Sequence, residues 1–270
     1  SILSSNLVQN GNFSELGSEL VTPTNSLSNW IDARGNATLS IVSNSIRATI
    51  TSGTTFGVST AITTIVGKTY SINAKGIKDN TNGDFLIRVS NVPALSPAIF
   101  EQRTTNSINV SASGTFVATS TTSYVGFLAT SQSVGDYIET DNVSVKQVDP
   151  NDNWTLGADW SFGSNQVIGV NSITESSQQI FATSSTRVLK ITYSVIVNSG
   201  QVAIYMSDQS KNWITTSGTY TDYVTSTSQE IEFDGRNSQP FNGSIDNISV
   251  IQTQQTDIPR LDYTNGTASI

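Results

Sequence analysis

Apolar and polar residues alternate with a period of two along much of this chain. The segment 70–74 places Tyr70, Ile72 and Ala74 on one side and the intervening polar residues on the other, and LKITYSVIV at 189–197 repeats this pattern. Successive side chains of a strand point to opposite faces of a sheet, so each segment predicts a half-buried β-strand. Gly, Asn and Thr interrupt the strands at the spacing typical of turns, and no helical period extends beyond about two turns. The pattern predicts an all-β protein built as an antiparallel sandwich or barrel.

The chain also contains an internal repeat. TDNVSVKQ at 140–147 and IDNISVIQ at 245–252 share an Asp-Asn pair followed by alternating apolar residues. The preceding strand patterns occur in the same order in both halves, and a Pro- and Asn-containing linker separates the halves at 147–153. We therefore predict two tandem antiparallel β-sandwiches of jelly-roll type, at 1–148 and 149–253, with 254–270 as a connector to a further domain.

The repeated pair has a simple structural interpretation. Val143 and Val145 would point into the core, while Asp141 and Asn142 would lie where the last strand enters its sheet. Asp and Asn favour turns, because their side chains bond to nearby backbone and Asn tolerates a left-handed backbone. A turn ahead of a strand would explain the repeat without any ligand.

Composition removes several function classes. The 270 residues contain no Cys and no His, which excludes disulfides, thiol chemistry, a Ser-His-Asp triad and zinc bound by these residues. The net charge of −8 and the pI near 4.4 argue against a nucleic-acid-binding surface. No apolar run approaches the length of a transmembrane helix, so membrane insertion is not expected.

Paired carboxylates leave one catalytic alternative open. Glu139 with Asp141, and Glu230 with Glu232, stand two residues apart and could reach the separation that glycoside hydrolysis requires. Solvated strand faces or metal ligation explain these pairs better. We therefore expect a protein that is not an enzyme.

Short motifs resemble a known family. NLVQNGNFSE at 6–15, NW at 29–30 and the terminal DNVSV look like carbohydrate-binding modules with a galactose-binding-like jelly roll. NWTLGADWSFGSNQ at 153–166, together with FNGSIDNISVIQ at 241–252, resembles the version repeated in bacteriophage tail and virion fibre proteins. The C-terminal stretch 256–270 looks like a connector in such proteins.

The resemblance implies a structural Ca²⁺. In such modules an acidic residue at the start of the last strand helps to hold the ion, and Asp141 occupies that position. Glu15 matches the acidic position after the first strand, and Asn12 and Gly35 could add backbone oxygens. Asp246 is the corresponding acid of the second module and a weaker candidate, since that module opens with WTLGADW and lacks the NGNFSE segment.

The resemblance also implies a sugar site built on an exposed aromatic ring. Candidates are Trp213 in KNWIT, with Tyr205 in AIYMSD as its neighbour, and Tyr124 in SYVGF. A pyranose stacks its C–H face on such a ring while amide or acid groups bond its hydroxyls. The other three tryptophans fall in patterns that predict core packing: Trp30, Trp154 and Trp160.

Two functions follow as expectations. The first is a non-enzymatic virion protein, a tail-fibre or surface-fibre segment that contributes to attachment to host-surface glycans. Its partners would be other virion proteins, and by analogy it would be a homotrimer. The alternative is a carbohydrate-binding module of a secreted bacterial glycosidase or adhesin.

Overall fold

The regular elements of the structure, a computed structural model, are all strands. It describes residues 2–21, 23 and 26–253, without the side chain of Asp141. Eighteen antiparallel strands and no helix occur in these residues, so none of them forms a helix able to cross a membrane. The predicted all-β, sandwich-type fold is confirmed. The connector predicted at 254–270 lies outside the described residues.

The strands divide between two compact units. The inserted unit comprises residues 16–148, and the composite unit combines residues 2–15 with 149–253. The strands of the inserted unit are β1 Trp30–Asp32, β2 Ala37–Val42, β3 Ser45–Ile50, β4 Phe56–Thr63, β5 Thr69–Lys78, β6 Asp84–Ser90, β7 Ala98–Thr105, β8 Asn109–Val117, β9 Thr122–Ala129 and β10 Tyr137–Gln147. Those of the composite unit are β11 Trp160–Gly163, β12 Gln166–Ser172, β13 Glu175–Gln179, β14 Arg187–Ser199, β15 Val202–Met206, β16 Gly218–Ser226, β17 Glu230–Gly235 and β18 Phe241–Thr253.

The inserted unit is a sandwich of two five-stranded sheets. Their strand orders are β1-β4-β9-β6-β7 and β2-β3-β10-β5-β8. The predicted inward residues Tyr70, Ile72 and Ala74 of β5 are buried in one core with Phe85 and Phe127 from the opposite sheet. Burial alternates with a period of two in β3 and β5, as the sequence pattern predicts. The central strands of the other sheet, β4, β6 and β9, are instead buried on both faces along most of their length.

The composite unit packs a five-stranded sheet against a three-stranded one. Their orders are β11-β12-β18-β14-β16 and β13-β17-β15. Ile191, Tyr193 and Val195 of β14 face the core, where Phe233 of β17 and Trp160 of β11 meet edge to face with ring centroids 4.8 Å apart. The predicted inward face of β14 is therefore buried in the structure.

The N-terminal segment belongs to the composite unit, which differs from the sequence-based division at 148/149. The Leu7 backbone N–H donates to Val250 O, and the Ile248 N–H donates to Gly11 O, both at 2.9 Å. Phe13 is 2% exposed and lies 5.3 Å from the ring of Trp154. The segment 6–13 therefore completes the core of the second module, whereas the sequence assigned it to the first. A linear repeat search cannot detect this, because the pairing partner lies more than two hundred residues away.

The repeated Asp-Asn pairs are β-bulges within the last strands, and not turns at their entrances. Asn142 and Asn247 adopt positive φ angles of 53° and 55°. At these points the register of β10 against β5, and of β18 against β14, shifts. Asn is suited to this left-handed position. Val145 beyond the first bulge is buried and Val143 packs against the same core, as predicted.

Candidate functional site

An open pocket of about 550 Å³ lies on the composite unit, and one of the predicted aromatic residues lines it. The pocket is lined by Ile173, Trp213, Asp234, Gly235, Arg236, Asn237 and Ser238. Its size is within the range of small-molecule sites, and its lining mixes one large aromatic ring with charged and amide groups. Trp213 is the lining residue that the sequence predicts as a sugar-binding residue.

Strand β17 and the turn that follows it form one wall. Along β17, Ile231 and Phe233 point into the core, so Asp234 faces the other side of the strand. A Cβ at Gly235 would lie 2.0 Å from Ser172 O, so only glycine allows β17 to approach the end of β12 this closely. The chain then turns back at Arg236 and Gln239, whose backbones pair, and this turn presents the amide and hydroxyl side chains of residues 237–238.

The loop between β15 and β16 supplies Trp213. Ile214, the next residue, is buried and its backbone pairs with that of Val202, which holds Trp213 at the pocket. The indole ring is half-buried, and the guanidinium of Arg236 lies 5.4 Å from its centroid. An aromatic face fixed in this way can act as a stacking surface.

Asp234 of the pocket wall belongs to a network of charged side chains. Lys211 Nζ is 2.7 Å from Glu175 Oε1 and 2.7 Å from Asp234 Oδ2. Asp234 is 6% exposed, its Oδ1 is buried from solvent, and the backbone N–H of Gly235 adds a hydrogen bond to its carboxylate. Lys211 and the backbone that follows Asp234 therefore both hold this carboxylate in place.

The pKa values in this network follow from burial and pairing. Burial raises the pKa of the Asp234 carboxyl, and the hydrogen bond from Lys211 only partly opposes that rise. Burial lowers the pKa of Lys211, but its hydrogen bonds to Asp234 and Glu175 outweigh burial and leave the pKa above its ordinary value. The hydrogen bond from Lys211 lowers the pKa of Glu175. Lys211 is thus held as a cation by its two carboxylate partners.

Tyr205 and Tyr124 are placed differently from Trp213. Tyr205 is only 6% exposed, its hydroxyl donates to Glu175 Oε1 at 3.2 Å, and Lys211 Nζ lies 5.2 Å from its ring centroid. The loop after β15 covers this ring, so it does not offer a face to a sugar. Tyr124 packs against the small apolar cluster of the inserted unit. Trp30, Trp154 and Trp160 are buried, as the sequence predicts.

The predicted calcium ligands do not assemble within either unit. Glu15 and Asn12 belong to the composite unit, whereas Gly35 and Asp141 belong to the inserted unit. The Glu15 carboxylate accepts hydrogen bonds from the amides of Asn151 and Asn153. No cluster of three or more acidic, His or Cys side chains that could hold a metal ion occurs among residues 2–21, 23 and 26–253. Calcium binding by Asp141 stays a prediction, since its side chain lies outside the described part of the chain.

The fold brings the NGNFSE segment to the unit that carries Asp246. Asp246 was the weaker candidate because the second module lacks an NGNFSE segment of its own. In the structure that segment runs beside β18, the strand that carries Asp246. The carboxylate of Asp246 accepts hydrogen bonds from the backbone and side chain of Asn247.

One member of each carboxylate pair named in the sequence analysis, Glu139 and Glu232, lies beside a side chain of a neighbouring strand. Glu139 forms an ion pair with Arg47 on the neighbouring strand. Burial raises the pKa of Glu232, and the nearby Tyr205 hydroxyl opposes this rise.

Sequence reasoning missed the polar lining of the pocket, which comprises Asp234, Arg236, Asn237 and Ser238. It also missed Glu175 and Lys211, which are linked to Asp234. Asp234 is next to Gly235, and such a pair reads as an exposed turn. A weak signal was present in EIEFDG, where Phe233 continues the buried period and places Asp234 on the opposite face. The meeting of this strand with the loop at 211–213 could not be predicted from local pattern.

Comparisons with known proteins assign no family to this chain. No protein-family profile matches the sequence, and no curated protein matches it. The tandem CBM22 (carbohydrate-binding module) domains of Paenibacillus barcinonensis Xyn10C align over 89% of this chain and 99% of that chain, with 10% identity and a TM-score of 0.38. A CBM4 structure aligns over 52% of this chain and 99% of that chain, with 20% identity and a TM-score of 0.32.

A xanthan lyase from Paenibacillus aligns over 88% of this chain and 27% of that chain, with 12% identity and a TM-score of 0.33.

Proposed function

We propose that the composite unit is a non-catalytic sugar-binding module and that the Trp213 pocket is its binding site. The observation that carries this proposal is the half-buried Trp213 indole at an open pocket whose lining also includes the charged and amide residues Asp234, Arg236 and Asn237. A sugar ring offers an apolar C–H face for the indole and hydroxyl groups for the polar wall.

The pocket supports weak binding. One stacking ring and a few hydrogen bonds give dissociation constants in the millimolar to micromolar range, about −4 to −8 kcal/mol. Such affinities are enough for a module that acts together with others on a polymer, since linked sites raise the overall avidity.

This function agrees with the carbohydrate-binding alternative from the sequence. A module attached to a secreted glycosidase or adhesin is part of the proposal, and an extracellular location goes with it. The virion-fibre hypothesis, with its trimer and its virion partners, has only the sequence resemblance as its support. A sugar-binding pocket fits both hypotheses, since both include glycan binding.

Binding of the full-length chain to soluble polysaccharides in affinity gel electrophoresis tests the proposal. We expect retardation by at least one neutral polysaccharide and a loss of affinity of about tenfold or more in Trp213→Ala, because the stacking surface is removed. Tyr223→Ala is the matched control, since Tyr223 is an aromatic residue of the same unit, 63% exposed, that does not line the pocket. Equal retardation of wild type and Trp213→Ala would exclude this site.

A further inference from the structure

We infer that the Trp213 pocket prefers sugars that carry a carboxylate group, and that Arg236 recognises this group. The inference rests on the proposed sugar-binding function and names the ligand class of the same site. It depends on three features of the pocket: a guanidinium without a carboxylate partner, the unused N–H groups of the neighbouring turn, and an acidic side chain whose charge is already paired.

Arg236 lines the pocket with most of its donors unused. A guanidinium carries five N–H groups, and here Nη1 donates to the side-chain oxygen of Gln201. Nε and Nη2 have no acceptor among the described residues, and both remain in contact with solvent. No carboxylate of the described residues forms an ion pair with Arg236. Because a planar guanidinium can bind a carboxylate through two parallel hydrogen bonds, a ligand carboxylate is the group that best completes it.

The turn after Arg236 adds donors to the same wall. Asn237 and Ser238 line the pocket, are exposed, and occupy the centre of a turn that the Gln239 N–H closes on Arg236 O at 2.9 Å. Their backbone N–H groups take no part in this bond and meet no acceptor in the described part of the chain. Unused N–H groups of a turn favour a bound anion, because their partial positive charges point at it.

The acidic residue of the lining offers little free charge to repel an anion. Asp234 is 6% exposed, and its carboxylate accepts from Lys211 at 2.7 Å and from the backbone N–H of Gly235. Lys211 also contacts Glu175 at 2.7 Å, and neither Glu175 nor Glu232 lines the pocket. The guanidinium is therefore the unpaired charge of the pocket lining.

The position of Arg236 beside Trp213 suits a uronic acid. The guanidinium carbon lies 5.4 Å from the centroid of the indole ring. In a uronic acid the carboxylate is attached to a ring carbon, so it extends past the edge of a pyranose that stacks on the indole. One sugar unit can then contact the aromatic ring and the guanidinium together. A neutral sugar keeps the stacking contact and lacks the charged hydrogen bonds, so it should bind more weakly.

The net charge of −8 acts against an anionic ligand at long range. At physiological ionic strength, repulsion between exposed charges is largely screened beyond about 8 Å. Contacts inside the pocket therefore decide the preference under these conditions.

Isothermal titration calorimetry with matched pairs of oligosaccharides, at about 0.15 M salt, tests the inference. The acidic probes are oligomers of galacturonate, of alginate and of glucuronate-substituted xylan. Each is compared with the same oligomer after reduction of its carboxylates to primary alcohols, so that the two forms differ only at that carbon. We expect the full-length wild type to bind at least one acidic form about tenfold or more tightly than its reduced form.

Variants of Arg236 identify the group responsible. In Arg236→Gln we expect the preference to fall to about twofold or less while the reduced form still binds, because the indole remains. Arg236→Lys keeps the charge and loses the paired geometry, so it should retain only part of the preference. Arg187→Gln is the matched control, because Arg187 also lies over an aromatic ring, that of Phe181, and donates to backbone carbonyls away from the pocket.

Equal binding of the acidic and reduced forms by wild type would overturn the inference while leaving sugar binding intact, and this comparison needs no variant. An unchanged preference in folded Arg236→Gln would also overturn it. A sulfated galactan oligomer bound as tightly as the acidic probes would show attraction of anions in general and would contradict recognition of a carboxylate. Failure of wild type to bind either form of any probe would overturn the proposed function itself.

Discussion

At the scale of single residues, carboxylates in this protein differ in how many donors surround them. Asp149 is 3% exposed and accepts from the side chains of Asn10 and Asn153 and from the backbone of Trp154. Asp208 is exposed and accepts five hydrogen bonds from residues 209 and 226–228. Asp234 accepts hydrogen bonds from Lys211 and from the backbone N–H of Gly235, and its Oδ1 is buried from solvent. Donors of this kind offset the free-energy cost of burying a carboxylate.

Asp208 should make stability depend on acid pH. Burial raises the pKa of this carboxyl, but the hydrogen bonds from Ser226, Gln209 and Thr227 outweigh burial and hold the pKa well below its ordinary value. A depressed folded-state pKa gives stability that is present above the unfolded pKa of about 4 and is lost as the pH falls below it. We expect Asp208→Asn to lower the melting temperature near neutral pH and to weaken the decline of melting temperature on acidification.

Thermal unfolding by circular dichroism across the acid range measures this effect. Asp246→Asn is the control. The Asp246 carboxylate accepts hydrogen bonds from the adjacent Asn247, whereas Asp208 joins segments that are distant in the sequence. If Asp208→Asn and wild type lose stability in parallel as the pH falls, Asp208 does not carry the effect.

At the scale of elements, the N-terminal segment and strand β18 depend on each other. Backbone hydrogen bonds join residues 3, 7 and 11 to residues 252, 250 and 248. Phe13 fills the core next to Trp154, and the Trp154 indole N–H donates to Asn10 O at 3.2 Å. The close approach needs a residue without a side chain at position 11, since a Cβ there would lie 2.0 Å from Ile248 O.

Replacing Gly11 should therefore loosen this contact. We expect Gly11→Ala to destabilise the composite unit by about 1–3 kcal/mol, because the new methyl group pushes the segment from β18. Gly218→Ala is the control, since a Cβ at Gly218 would make an ordinary contact of 3.5 Å with Tyr220. Urea unfolding of both variants measures the difference, and equal midpoints would show that the segment can shift without cost.

At the scale of the whole molecule, one unit is inserted into the sequence of the other. The Asp149 N–H donates to Glu15 O at 3.1 Å, and Leu16 pairs with Val148 in an isolated β-bridge. The two ends of the inserted unit are therefore neighbours, as expected for a domain inserted at a tolerant position. Each unit has a hydrophobic core of its own.

Removing the inserted unit should leave a folded composite unit. In a β-turn the N–H of the fourth residue donates to the C=O of the first, as Asp149 N–H does to Glu15 O. An Asn-Gly pair is therefore a suitable replacement for residues 16–148. We expect this deletion protein to unfold cooperatively and to retain the glycan binding of the full chain. Residues 16–148 expressed alone should also fold.

Near-ultraviolet circular dichroism and affinity electrophoresis check both pieces. A deletion protein without fixed aromatic signals would show that the composite unit requires the inserted one. A folded deletion protein that lost the glycan binding seen in the full chain would contradict placement of the site on the composite unit.

The sequence by itself determined the strands, the all-β class and the buried tryptophans. Alternation of apolar residues is a local signal, and burial of one strand face follows from it directly, as in Tyr70, Ile72 and Ala74. It also singled out Trp213 as the tryptophan outside the strand patterns.

Only the tertiary structure decided which distant segments meet. It placed residues 6–13 beside β18, turned the Asp-Asn repeat into bulges, buried Tyr205 under Lys211, and brought Asp234 to the pocket of Trp213. Each of these results depends on pairing and loop packing between residues far apart in the chain. Local periodicity carries no information about such pairs, because the same alternation is compatible with many strand orders.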